Sequence, residues 1–150
     1  MGLLTRKPER RVVKTPKNRI CLLRSGRYSN EEQLRQTLTY LFSERKRIDT
    51  LFLLLENKGL IVDWLVENDF GYEVYEKRKG ENDANRNFRL LNDSNAVVAF
   101  IPRKSTGDKH WDYIDALVEI KAHPLYLVYD EHGKTWDRKM KKKITPYAQD

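Results

Sequence analysis

Apolar residues occur along this chain in two kinds of block. Short continuous runs are Arg19–Arg24 (RICLLR), Thr50–Leu55 (TLFLLL), Tyr72–Tyr75, Asn95–Phe100 and Pro124–Tyr129 (PLYLVY). Between them lie longer segments in which apolar residues return every three or four positions. The runs have the length of strands, and four of the five are apolar throughout instead of alternating. That pattern predicts strands covered on both faces, as in a parallel sheet between helices.

The intervening segments read as helices with recognisable ends. Ser29 or Asn30 caps the first, Glu31 and Glu32 fill its first turn, and Leu34, Leu38, Leu41 and Ile48 mark an inner face as far as about Arg47. After the turn Glu56-Asn57-Lys58-Gly59, a stripe of Leu60, Ile61, Trp64, Leu65 and Asn68 predicts a second helix, ended at Phe70-Gly71. Asp83 is expected to cap a third, with Ala84, Phe88 and Leu91 inward. Trp111, Ile114, Leu117 and Val118 define a fourth. The order βαβαβαβαβ predicts an α/β fold: one Rossmann-like, three-layer domain with a five-stranded parallel sheet in the order 3-2-1-4-5 and right-handed crossovers.

Charge divides the chain differently. The net charge is +7 over 150 residues, yet residues 1–19 carry +6, residues 134–150 carry +4, and residues 20–133 come to −3. The expected organisation is a basic arm (1–18), a domain (19–133) and a basic tail (134–150). Such ends attract polyanions, and they also serve as plain solubilising segments. No apolar run approaches a membrane span, MGLLTR has its Thr at position 5 and not the Ser/Thr at position 6 of a myristoylation signal, and no apolar stretch of a secretory leader follows it. A single cysteine, Cys21, leaves no disulfide framework, so the expectation is a cytoplasmic protein with no membrane partner. Cys21 itself falls in a predicted central strand and reads as a small buried apolar residue. Trp64 and Trp111 read as core, while Trp136 lies in the tail. His110, His123 and His132 lack metal-ligand spacing, and no metal or cofactor is expected.

In an open parallel sheet, ligands bind beyond the carboxyl ends of the strands, where the strand order reverses. Here the reversal falls between strands one and four. The loops there are SGRYSN, with Ser25, Gly26 and Arg27, and IPRKSTGD, with Arg103, Lys104, Ser105, Thr106 and Gly107. Glycine lets the backbone approach a ligand closely; hydroxyls and helix-start amides donate to anionic oxygens, and arginine forks onto phosphate. Each loop alone also fits an ordinary turn. Asp63 fits either a solvated helix face or a group that orients a ribose hydroxyl or acts as a base. Arg86 fits either a phosphate clamp or a surface ion pair.

The order and spacing of these pieces resemble the SLOG superfamily. These are Rossmann-like nucleotide-binding domains that include the lonely-guy type phosphoribohydrolases and the DNA-processing protein A group. The likeness is closest to its small stand-alone branch and covers residues 19–130. It rests on "LLRSGRYSN", on Gly59 and Asp63 in "ENKGLIVDWL", on Arg86-Asn87 in "NRNFRLLNDSNAVVAF", and on "IPRKSTGDKHWDYIDAL". The resemblance implies a nucleotide or nucleotide-derived ligand and a homodimer. Its phosphate would lie between Ser25-Gly26-Arg27 and Arg103–Gly107, with Lys58, Gly59, Arg86 and Asn87 approaching. The phosphoribohydrolase loop PGGxGTxxE is not matched, because Arg103 and Lys104 replace its two glycines. Its catalytic glutamate has no clear counterpart, which leaves Asp63, Asp108 and Asp112 as candidate bases. The sequence therefore favours a binding or sensing role. A nucleotide N-glycosidic hydrolase of the same fold, and a nucleic-acid-binding protein acting through residues 1–18 and 134–150, are the alternatives.

Overall fold

The computed structural model describes residues 11–26 and 28–101, together with the strand backbones of 125–129, 135–137 and 142–144. In chain order the elements are β1 (Asn18–Arg24), α1 (Glu31–Phe42), β2 (Thr50–Leu54), α2 (Leu60–Glu67), β3 (Gly71–Val74), α3 (Asp83–Asp93) and β4 (Ala96–Ile101). The four strands form a parallel sheet in the order 3-2-1-4, with β1 central between β2 and β4. This is an α/β architecture consistent with a Rossmann-like fold. Backbone pairing continues from β4 to β5 (Leu125–Tyr129), parallel, and then to β6 (Thr135–Asp137) and β7 (Lys142–Ile144), both antiparallel. The sequence pattern placed no strand after Tyr129, because Thr135–Asp137 and Lys142–Ile144 are short and mostly polar.

Alternate residues of each apolar run feed two separate cores. Ile20 and Leu22, Phe52 and Leu54, and Val98 and Phe100 face α1 and α2, where Leu34, Leu38, Ile61, Trp64 and Leu65 complete the packing. Cys21 and Leu23, Leu51 and Leu53, and Val97 and Ala99 face the other way, onto Leu90 and Leu91 of α3. Two faces covered by helices are the reason these strands do not alternate with polar residues. Cys21 is fully buried, and burial pushes its thiol pKa up.

The element ends correct several expectations. Asn30 caps α1, its side chain accepting from the Gln33 amide, but the helix stops at Phe42. The run Ser43–Arg47 offers no inward residue, and Ile48 is 72% exposed. The Arg47 guanidinium instead donates to the Ser43 and Arg45 carbonyls and to Asn68, closing the ends of α1 and α2 together. Asn82, not Asp83, caps α3. The inner face of α3 is Asn87, Leu90 and Leu91, which turns Phe88 outward to 45% exposure. At the end of α2 the left-handed residue is Asp69, with a φ of 58°. The Asp69 amide donates to Val66 and the Phe70 amide to Leu65, and Phe70 stacks on Trp64 at 5.5 Å. Gly71 is free to begin β3, where a Cβ would lie 2.7 Å from the Arg11 carbonyl oxygen.

That contact belongs to the N-terminal arm, whose residues 11–17 lie against the body. Arg11 forks onto the Asp69 carboxylate, its Nη2 at 2.5 Å, and the Lys17 amide donates to Asp49 at 2.8 Å.

Candidate functional site

Parallel strands bring all their carboxyl ends to one edge, and charged residues terminate the apolar runs of the first three strands there. Arg24 ends β1, and Glu56 follows β2. The parallel register, Asn18 opposite Thr50 through Leu22 opposite Leu54, carries on to set Arg24 beside Glu56. Arg24 Nη2 donates to Glu56 Oε2 at 3.2 Å, and Arg24 Nη1 donates to the Tyr28 carbonyl at 2.9 Å. The remaining donor, Arg24 Nε, is buried with no partner among the described residues.

A pocket of about 400 Å³ opens at this edge, lined by Arg24, Glu56, Lys58, Tyr75, Glu76 and Arg86 among others. Lys58 is exposed and forms no ion pair among the described residues. Beside it Gly59 has a φ of 120° and caps α2 without any side-chain acceptor for the first-turn amides. A Cβ at Gly59 would come within 3.2 Å of Glu56 Oε2, so a larger residue would strain the turn at its φ of 120° and also displace the paired carboxylate by a few tenths of an ångström.

Arg86 enters from the first turn of α3 on the far side of the sheet. Asn87, only 1% exposed, accepts from Arg86 Nε at 2.8 Å. Arg86 Nη1 reaches the Tyr75 carbonyl at 3.4 Å, and Nη2 lies 3.6 Å from Asp83. A buried amide next to an arginine is thus a positioning contact for the guanidinium. Tyr75 lies beneath, its hydroxyl donating to Asp93 at 2.6 Å and Arg89 over its ring at 4.8 Å. Burial, then the Asp93 bond and charge, push the Tyr75 phenol up, so it stays a donor.

The other predicted residues fall as follows. The Ser25 amide is committed to the Phe100 carbonyl, and the Tyr28 amide closes a turn onto Ser25. Buried Tyr28 meets Phe100 edge-on at 5.4 Å and bonds Gln33 through its hydroxyl, which anchors Tyr28 to the sheet and to α1. Gly26 is exposed, with open space where a Cβ would stand. Asp63 is exposed on α2 and does not line the pocket. Arg27, Arg103, Lys104, Ser105, Thr106, Gly107, Asp108 and Asp112 lie outside the described residues, as do the side chains of Trp111, Trp136 and the histidines. The structure therefore brings Lys58, Gly59, Arg86 and Asn87 together, on the β1–β2–β3 side of the edge. Sequence reasoning passed over Arg24, Glu56, Tyr75 and Glu76. The available signal was a charged residue closing each of the first three apolar runs, Arg24, Glu56 and Glu76.

Among the described residues no group of His, Cys, Asp and Glu has the arrangement of a metal site, and no helix is long and apolar enough to cross a membrane. No family model, curated protein or solved structure matches this chain in comparisons with known proteins.

Proposed function

We propose that the carboxyl-edge pocket binds the phosphate of a nucleotide or nucleotide-derived molecule, and that the protein acts as a binding or sensing domain. In this reading the sheet continues as 3-2-1-4-5, Rossmann-like and of the SLOG type, and the loops holding Ser25–Arg27 and Arg103–Gly107 border the same ligand. The observation that carries it is the convergence of Arg24, Lys58 and Arg86 on one pocket, with Arg86 set by a buried Asn87. Three cations face two carboxylates, Glu56 and Glu76, and the uncapped start of α2 adds its positive end. Arginine and lysine together suit a phosphate with one forked and one point contact.

One specific observation favours hydrolysis as the second reading: Glu56 is a carboxylate inside the pocket, at a place where the sequence offered only Asp63, Asp108 and Asp112. Its ion pair with Arg24 makes a binding role the simpler one. A homodimer, by resemblance, and a cytoplasmic location, from the single cysteine, remain part of the proposal.

A thermal-shift panel tests the reading. It should hold nucleoside mono-, di- and triphosphates, cyclic nucleotides, NAD and ADP-ribose. A ligand present at about a hundredfold its Kd adds about 2.7 kcal/mol, a shift of several degrees for a chain of this size. The shift should vanish in Arg86→Ala and fall in Lys58→Ala. No shift with any member, or a shift indifferent to both substitutions, would remove the pocket from consideration.

A further inference from the structure

The opposite, amino edge of the sheet gathers a second set of cations. Lys14 and Lys17 come from the docked arm, Arg19 from the start of β1, and Arg45 and Lys46 from the connection between α1 and β2. All five are exposed, and none forms an ion pair among the described residues. Backbone contacts fix them to one edge. The Lys17 and Asn18 amides both donate to the Asp49 carbonyl, at 2.8 and 3.0 Å, which joins the arm to the segment that carries Arg45 and Lys46. The Arg19 amide donates to Asn95 at 2.8 Å, and Lys14 and Arg19 line one polar groove of about 630 Å³ with Asn92 and Asn95.

The acids at this edge are mostly engaged. Asp69 is held by Arg11, which draws its pKa down; Asp93 takes the Tyr75 hydroxyl; Asp49 is half-buried beside Thr50. Glu44 on the same connection is exposed, and Glu73 lines the groove. The ends of α1 and α2, whose carbonyls would repel an anion, receive the Arg47 guanidinium instead. Asn92, Asn95 and Thr15 add neutral hydrogen-bonding groups of the kind that contact phosphate oxygens.

We infer that the amino edge is a nucleic-acid backbone interface, formed by Lys14, Lys17, Arg19, Arg45 and Lys46 and independent of the pocket at the carboxyl edge. It binds phosphates without reading bases, since the cations sit on a sheet edge and short connections and no helix presents them to a groove. If each cation neutralises one phosphate of a duplex, log K falls against log salt with a slope of about −4.5, roughly a 500-fold loss of affinity between 50 and 200 mM salt.

The test is fluorescence anisotropy of labelled 20-base-pair DNA and RNA duplexes with the full chain across that salt range. A Lys14→Ala/Lys17→Ala/Arg45→Ala/Lys46→Ala variant, checked for an unchanged melting temperature, should flatten the slope by about 3.6. Whether DNA, RNA or both bind separates the two sources of phosphate. An unchanged slope in the variant would overturn the inference and move binding to other basic segments. So would absence of binding at 50 mM salt, or binding to phosphatidylserine vesicles alone. The pocket reading survives each of these failures, because its ligands and variants are different.

Discussion

Gly59 holds a φ of 120° with its missing Cβ 3.2 Å from Glu56 Oε2, so one residue serves both the turn beside the pocket and the cap of α2. Gly59→Ala is expected to cost about 1–3 kcal/mol, seen as a lower urea midpoint at unchanged slope. An unchanged midpoint would mean that the turn relaxes freely. Glu81 gives a second prediction at this scale. Its carboxylate accepts from Arg89 Nε and Nη2, at 3.0 and 2.9 Å, and from the Arg78 amide at 2.8 Å. The Arg89 guanidinium first, and then the amide, pull its pKa down to about 2. A depressed folded-state pKa stabilises the protein above the ordinary carboxylate value, and that stabilisation is lost as pH falls toward 2. Between about pH 4.5 and 2, Glu81→Gln should therefore lose stability less steeply than the parent in acid melts; parallel curves would show that the Arg89 pair contributes nothing.

At the scale of elements, the apolar runs identified the four parallel strands to within a residue or two, because two-sided burial leaves a continuous hydrophobic signature. Helix interiors were equally legible at Leu34, Leu38, Trp64 and Leu65. Ends were less so. Ile48 fits the heptad-like spacing of α1, yet the charged run before it and the need to begin β2 at Thr50 end the helix early. Phe88 fits α3 by spacing alone, and burial of the polar Asn87 turns the helix away from it. No sequence pattern announces that Asn87 is buried, since its role depends on Arg86 beside it. The candidate site was legible where residues lie on loops next to element starts, as at Lys58, Gly59 and Arg86. Arg24 and Glu56 become a pair only through the strand register. The arm shows the same dependence: residues 11–17 lack periodicity, and their placement comes from Asp69, Asp49 and the bare Cα of Gly71. Gly71→Ala puts a methyl 2.7 Å from the Arg11 carbonyl oxygen and the Val13 side chain. Trypsin should then cleave after Arg11 and Lys14 faster than in the parent, and equal cleavage rates would mean that the arm does not clamp β3.

For the whole molecule, the parallel sheet separates two chemistries. The strands β1, β2 and β3 deliver their carboxyl ends to the pocket of Arg24, Lys58 and Arg86, while the opposite, amino edge of the same sheet carries Lys14, Arg19 and Lys46. A net charge of +7 conceals this division, as does the slightly acidic sum over residues 20–133. The central claim is that the carboxyl edge holds phosphate. Amide chemical-shift mapping in a titration with AMP and, separately, inorganic phosphate tests it most directly. The account predicts saturable shifts at Lys58–Ile61, Tyr75–Glu76 and Arg86–Asn87, lost in Arg86→Ala. Shifts confined to Lys14–Arg19 and Arg45–Lys46, or none at the carboxyl edge with either probe, would contradict it.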